Sequence, residues 1–183
     1  MPNNTFHIGW GNPSIYYRDL DAETPVWKKM PNCVEDSVQL TPTRGDKLEA
    51  RIEGGAPEAV KYQQSAYELA YAVRVAKERA AMPIEHVDGN VAHEYAIVVV
   101  PEDPTVPGFY IERSAVSVED PFNANDGSNW TYHHDVLTPS SGKLVKWGVF
   151  TATEGTSTAA GTYTIAVAQG YDFASGGSVP ASA

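Results

Sequence analysis

The residues of this chain with the clearest potential for chemistry form one short cluster, His133-His134-Asp135. Imidazole and carboxylate groups are common zinc ligands. The cluster falls within a run that predicts a β-strand, on which neighbouring side chains point to opposite faces. His133 and His134 therefore cannot bind one ion together from regular strand geometry. We expect both to be ordinary polar strand positions.

The stretch of residues 120–130 is rich in Asn, Asp and Gly, a composition that suggests calcium binding. An EF-hand loop requires glycine at its sixth position. Setting Gly127 there places Phe122 at the first position and Ala124 at the third, so the ligand register fails. A plain hairpin loop is the preferred interpretation, and an irregular calcium site at residues 120–127 stays an alternative.

The other reactive groups lack the partners that catalysis would require. The single cysteine, Cys33, has no basic neighbour in the sequence that would lower its pKa. Phosphate-loop, dinucleotide-binding and Gly-x-Ser-x-Gly motifs are absent from the sequence. We therefore expect no catalytic residue, no cofactor and no metal, and we interpret the chain as a non-enzyme. A β-sandwich hydrolase stays an alternative, because acids that meet only in space are invisible in one sequence.

The elements that would position any site are β-strands. Residues 47–53 alternate polar and apolar side chains at every step, and residues 67–75 do so again beyond an acidic turn that contains glycine. Such runs predict half-buried strands. Residues 93–100 are apolar on both faces and predict a central strand. Further short strands are predicted at residues 14–18, 26–30, 34–41, 109–111, 115–118, 130–137 and 144–151.

This pattern predicts a mainly-β chain, a β-sandwich or partial barrel with at most one short helix, near residues 77–82. We divide it into an N-terminal arm at residues 1–13, a β-sandwich domain at residues 14–151 and a C-terminal extension at residues 152–183. The extension is rich in Gly, Ser, Ala and Thr. It is expected to contain one more strand, because Tyr163, Ile165 and Val167 alternate with other residues.

The charge and the hydrophobicity of the chain argue against two kinds of partner, specific nucleic-acid sequences and membranes. The chain has 13 Lys and Arg against 23 Asp and Glu, a net charge of −10, which argues against a sequence-reading nucleic-acid binder. The longest strongly apolar run, residues 96–100, is far too short to span a bilayer, so no membrane partner is expected. The tryptophans and tyrosines could form a sugar-stacking platform, but core or interface positions are the preferred interpretation.

Four parts of the chain, within residues 34–150, resemble the phage major tail tube protein family. The first runs from Thr41 through Arg51 into Glu53-Gly54-Gly55, and the second is the alternating strand of residues 67–75. The third is residues 83–89 followed by the strand of residues 95–100 and Pro101-Glu102-Asp103. The last comprises residues 115–120, 130–132, 135–137 and Pro139.

The resemblance implies a tail-tube fold and an assembly function. Subunits of this family form hexameric rings in which strands continue from one copy to the next around a channel, and the rings stack through an extended loop and a terminal arm. The implied partners are further copies of the chain, other tail proteins, and DNA that passes without specific binding. The implied location is the virion tail, after synthesis in the host cytoplasm. Turn chemistry and the likeness together select Gly45, Asp46, Gly54, Gly55 and Pro57 as inter-subunit loop residues.

Two other functions stay open at this point. One is a related tube protein of a contractile injection or secretion system, which would carry a folded effector. The other is a carbohydrate-binding, adhesive β-sandwich that uses its tryptophans.

Overall fold

The computed structural model describes residues 11–125, 127–156, 161–173 and 179. Within that part of the chain the predicted mainly-β fold is confirmed, and the one helical element is a 3-10 turn at Arg79–Ala81. The strands are β1 Ser14–Asp19, β2 Lys28–Lys29, β3 Gln39–Thr43, β4 Lys47–Arg51, β5 Pro57–Tyr62, β6 Ala66–Arg74, β7 Tyr95–Val100, β8 Gly108–Glu119, β9 Phe122–Asn123, β10 Gly127–Val136, β11 Val145–Glu154 and β12 Tyr163–Gly170.

All of these strands except β4 and β5 belong to one antiparallel sheet, whose main path is β2-β1-β7-β8-β10-β6-β3. The sheet branches at the 12-residue strand β8. The first half of β8 pairs with β11 and its second half pairs with β10, whereas β7 lies along the opposite edge. The β11 branch continues into β12, and the β10 branch continues into β6 and β3.

Strand β7 is buried on both faces, as predicted for a central strand. Its odd-numbered side chains join one core with residues of β6, β8 and β10. Its even-numbered side chains join a second core with Phe150 of β11 and Ile165 of β12. Each branch of the sheet therefore covers one face of β7, which gives the sandwich its two layers. Val179 is also buried in the second core, so the C-terminal extension contributes to it.

Residues 27–34 connect the two layers, because they bond to β12 in one layer and to β6 in the other. The Tyr163 N–H of β12 donates to the Trp27 carbonyl at 2.9 Å, and the Val34 N–H donates to the Ala72 carbonyl of β6 at 2.8 Å. Between these two bonds, β2 pairs with β1. One segment thus joins β1 to β12 of one branch and to β6 of the other, and the sheet becomes a partial barrel on each side.

Several predicted boundaries are wrong. The turn at Gly54-Gly55 joins β4 to β5, a strand that was not predicted, and not to the alternating run of residues 67–75. The strand predicted at residues 34–41 is observed as β3 at Gln39–Thr43, so Pro42 lies in a strand, opposite Tyr67. Proline is tolerated there because an outer strand needs no N–H donor on its free side. Residues 109–111 and 115–118 belong to one strand, since β7 and β10 pair along its two edges.

Candidate functional site

The two neighbouring histidines face opposite sides of β10, as predicted. His134 is fully buried. Its Nε2 lies 2.9 Å from the Tyr71 hydroxyl, and its Nδ1 lies 3.0 Å from Ser114 Oγ. The Ser114 hydroxyl donates its one proton to the Tyr95 carbonyl at 2.8 Å, so it can only accept from Nδ1–H. His134 is thus the neutral Nδ1–H form, and burial lowers its pKa to about 3.

This network is suited to holding strands together. A serine hydroxyl beside an imidazole can perform acyl transfer only where a substrate reaches the oxygen. Ser114 and His134 both have 0% exposure, and the serine proton is committed to a backbone carbonyl. The hydrogen bonds instead connect β6, β10, β8 and β7 through the interior. All of the polar atoms that these bonds join are satisfied, which is the condition for a buried polar network to stabilise a fold.

The remaining groups singled out by the sequence lie apart. The His133 Nδ1 is 2.7 Å from Glu68 Oε1 on the outer side of the sheet. Burial raises the pKa of the Cys33 thiol to about 11, so the thiolate is scarce at neutral pH. Asp120 is paired with Arg79. Strands β9 and β10 form the expected hairpin around residues 124–126, of which Asp126 lies outside the described residues. Within the described residues, no group of three or more His, Cys, Asp or Glu is placed to hold a metal ion.

The tryptophans divide between core and surface. Trp27 and Trp130 are 0% and 1% exposed and belong to the two cores. Trp147 is 42% exposed and packs its ring against Phe109, with 5.4 Å between centroids. Trp10 lies outside the described residues. In the described part of the chain, one tryptophan is therefore available to a ligand or partner.

The most unusual surface is the β4–β5 hairpin, which forms its own two-stranded sheet. All residues of β5 are exposed, and so are all of β4 except Glu49. Leu48 and Ile52 are each 50% exposed, and Val60 and Tyr62 are each 46% exposed. The expectation that residues 47–53 form a half-buried strand is therefore wrong, because no other part of the described chain covers the apolar side.

The five residues expected in inter-subunit loops all lie on this hairpin. Gly45 and Asp46 stand at its base, where the Asp46 carbonyl accepts from Gln63 N–H at 2.9 Å. Gly54 and Gly55 form its tip with φ of +100° and +86°, a region that favours glycine. Pro57 begins the returning strand β5. The hairpin's exposed apolar strand residues were not selected from the sequence, although their alternation with charged residues was visible there.

The two faces of the hairpin differ in chemistry. On one face, Glu49 pairs with Lys47 at 2.8 Å and with Arg51 at 3.2 Å, beside Val60 and Tyr62. The other face is apolar apart from one lysine, and strand alternation places on it Leu48, Ala50, Ile52, Ala59 and Lys61. We call this second surface the apolar hairpin face. It is a strand face of the kind that is normally buried.

The outer edges of the large sheet are protected unequally. Edge strands are usually kept from pairing by lysine, proline or shortness. Strand β2 has two residues, both lysine, and β3 contains Pro42. Strand β12 has eight residues without charge or proline. Within the described residues, its edge opposite β11 is paired only through the bridge between Trp27 and Tyr163.

A groove with a volume of about 770 Å³ lies beside Trp147. Its apolar lining includes Val38, Phe109 and Trp147, and Cys33 also lines it. The acidic residues on its lining are Glu35, Asp36 and Glu102, all exposed, and none of the described lining residues is Lys, Arg or His. We call this feature the Trp147 groove.

No protein-family model matches the chain, and a search of curated proteins finds no match either. Within the part of the chain that the structure describes, no helix has the length and hydrophobicity of a membrane span.

Proposed function

We propose that this chain is a non-enzymatic structural subunit of a phage tail tube, which assembles with copies of itself into stacked rings around a DNA-conducting channel. The observation that carries the proposal is the β4–β5 hairpin, which presents large apolar side chains to solvent on two strands alone. Two-stranded hairpins are marginally stable in water without further packing. Leu48 and Ile52 are each half exposed, so burying the remaining half against a second copy would contribute about 0.8–1.5 kcal/mol for each side chain.

The edge of β12, which the described residues leave unpaired apart from one bridge, supports the same function. An uncharged edge strand offers unpaired backbone N–H and C=O groups to another chain. A different edge of the neighbouring copy would make the contact heterologous, and heterologous contacts close into rings or continue as helices. Hexameric symmetry is proposed from the resemblance to the tail tube family.

The charge of the chain is compatible with a conduit for DNA. A net charge of −10 gives the assembled protein a repulsive field toward phosphate groups. DNA is therefore expected to pass through the channel without being held at specific positions. The proposed partners are further copies of the chain and the other proteins of the tail, and the proposed location is the virion.

Imaging of the purified protein, with one variant of the hairpin, tests the proposal. We expect negative-stain images of concentrated protein to contain rings or tubes. Leu48→Asp is expected to lower the assembled fraction in sedimentation at least tenfold, because the interface would have to bury a charge. Val87→Asp is the matched control, since Val87 is 77% exposed and lies outside the hairpin.

Monodisperse monomers at every salt and protein concentration would contradict the proposal. If such monomers also bound glycans on an array, an adhesive function would replace it. Equal loss of assembly in Leu48→Asp and Val87→Asp would mean that the hairpin has no special role.

A further inference from the structure

The apolar hairpin face and the Trp147 groove are both apolar surfaces with charges of opposite sign, one lysine on the hairpin face and three carboxylates on the groove lining. The hairpin face presents Leu48, Ala50 and Ile52 as a row on a projecting ribbon, with Lys61 on the same face. The groove is a concave surface with valine, phenylalanine and tryptophan side chains and with carboxylates among its lining residues. A ribbon with apolar side chains and a cation therefore fits a groove with apolar walls and anions.

The two surfaces do not meet within one copy. None of the described residues lining the groove belongs to β4 or β5, and the hairpin side chains remain about half exposed. Contact between them therefore requires a second molecule. Residues 44–62 carry four cations and four acids, so the hairpin as a whole is neutral in a chain with a net charge of −10. The cation on its apolar face is Lys61, which lies opposite Leu48.

We propose that the β4–β5 hairpin of one copy docks its apolar face into the Trp147 groove of the next copy. Leu48 and Ile52 contact Trp147 and Phe109, and Lys61 lies against the carboxylates of Glu35 and Glu102. The contact is heterologous, because the hairpin and the groove are different surfaces, so each copy can both insert a hairpin and receive one. This inference rests on the proposed self-assembly and names the two surfaces that meet.

The groove contains the one native cysteine, which permits a direct test. In Ala50→Cys, a thiol stands in the middle of the apolar hairpin face, and docking brings it near Cys33 of the neighbouring copy. A disulfide requires Cα atoms within about 7 Å. We expect oxidation of assembled protein by copper-phenanthroline and oxygen to give covalently linked dimers and higher multimers on a non-reducing gel.

Val60→Cys is the matched control, because Val60 occupies the opposite face of the same hairpin. We expect its linked fraction to be at least fivefold lower than that of Ala50→Cys. The double variant Ala50→Cys/Cys33→Ser should also lose the linked species. Persistent linkage in the double variant would mean that two hairpins pack against each other, which would overturn the groove as the docking site.

A second measurement does not depend on thiol chemistry. Trp147→Ser removes the largest exposed side chain of the groove, and we expect it to reduce tube assembly at least fivefold under conditions where circular dichroism shows that the monomer is still folded. Assembly that survives this substitution, together with absent Ala50→Cys linkage, would overturn the docking site but leave the tube function standing. Failure of the wild-type chain to assemble at all would overturn both.

The chain's own N-terminal residues are the competing occupant, because Gly11, Asn12 and Pro13 line the groove. Alkylation of Cys33 by N-ethylmaleimide separates the cases. Docking predicts that Cys33 is modified slowly in dilute monomer, as expected for a partly buried thiol with a raised pKa, and at least fivefold more slowly in tubes. Modification of the monomer that appears only after residues 2–10 are deleted would assign the groove to that segment and overturn the inference.

Discussion

Similar apolar side chains are buried in the antiparallel pair β6–β10 and exposed in the antiparallel pair β4–β5. Leu69, Tyr71 and Val73 of β6 are 0% exposed, because β1, β7 and β8 supply a core on that face. Leu48 of β4 is 50% exposed on a hairpin whose strands pair only with each other among the described residues. A strand with an apolar face specifies that the face will be covered, but not which molecule covers it. In β6 the chain covers the face itself, and in β4 we infer that another copy does.

The largest expected difference between the two regions is in the cost of losing one leucine. Leu69→Ala creates a cavity in the core and should lower the free energy of unfolding by about 2–5 kcal/mol. Leu48→Ala removes an exposed side chain and should change it by no more than about 0.5 kcal/mol. Urea titration of dilute monomer measures both. Similar losses in the two variants would mean that the hairpin packs within its own chain.

The buried network of the first region should make stability depend on pH. The folded-state pKa of His134 is lowered to about 3, whereas an unfolded histidine titrates near 6.5. Below pH 6.5 the unfolded state binds the proton and the folded state does not, so stability falls as the pH falls. The expected loss from this group between pH 6 and pH 4.5 is about 2 kcal/mol.

Urea titrations across that range measure the effect, with His134→Gln as the comparison. The variant is expected to be less stable at pH 7 but to lose less stability on acidification. Parallel curves for the two proteins would show that His134 does not remain neutral in the fold.

Substitutions at ion pairs are expected to give the smallest difference in unfolding free energy between the two regions. Glu49→Gln removes the pairs with Lys47 and Arg51 on the exposed hairpin and should change the unfolding free energy by less than about 0.5 kcal/mol. In the large sheet, Glu112 accepts from buried Lys146 at 2.9 Å and from Ser140. Glu112→Gln should therefore cost more than about 1 kcal/mol. A reversed order in thermal melts would contradict the contrast between the regions.

Local patterns were sufficient to predict much of the large sheet. The alternation of residues 67–75 identifies β6, and the continuous apolar run of residues 95–100 identifies β7 as central. Strand β5 was missed because Gly54-Gly55-Ala56-Pro57 has the composition of a loop. Proline at the first position of a strand is compatible with pairing, and Val60 and Tyr62 alternate with Lys61, so a signal was present.

Other features depend on long-range contacts that no local pattern contains. The closure by residues 27–34 joins Trp27 to Tyr163 and Val34 to Ala72, which are distant in sequence. The environment of His134 likewise requires Tyr71 from β6 and Ser114 from β8. The five expected loop residues fall on the candidate site because glycine and proline mark its turns. The exposure of Leu48 depends on long-range packing, since no other part of the described chain covers that side chain.

Hydrogen exchange of the hairpin amides tests the central claim most directly. In dilute monomer, we expect amides of β4 and β5 to exchange much faster than those of β6 and β10. When the protein is concentrated, amides of residues 48–52 should become at least tenfold more protected, while those of β6 stay unchanged. Hairpin amides that exchange at one rate from dilute to concentrated protein would contradict the account.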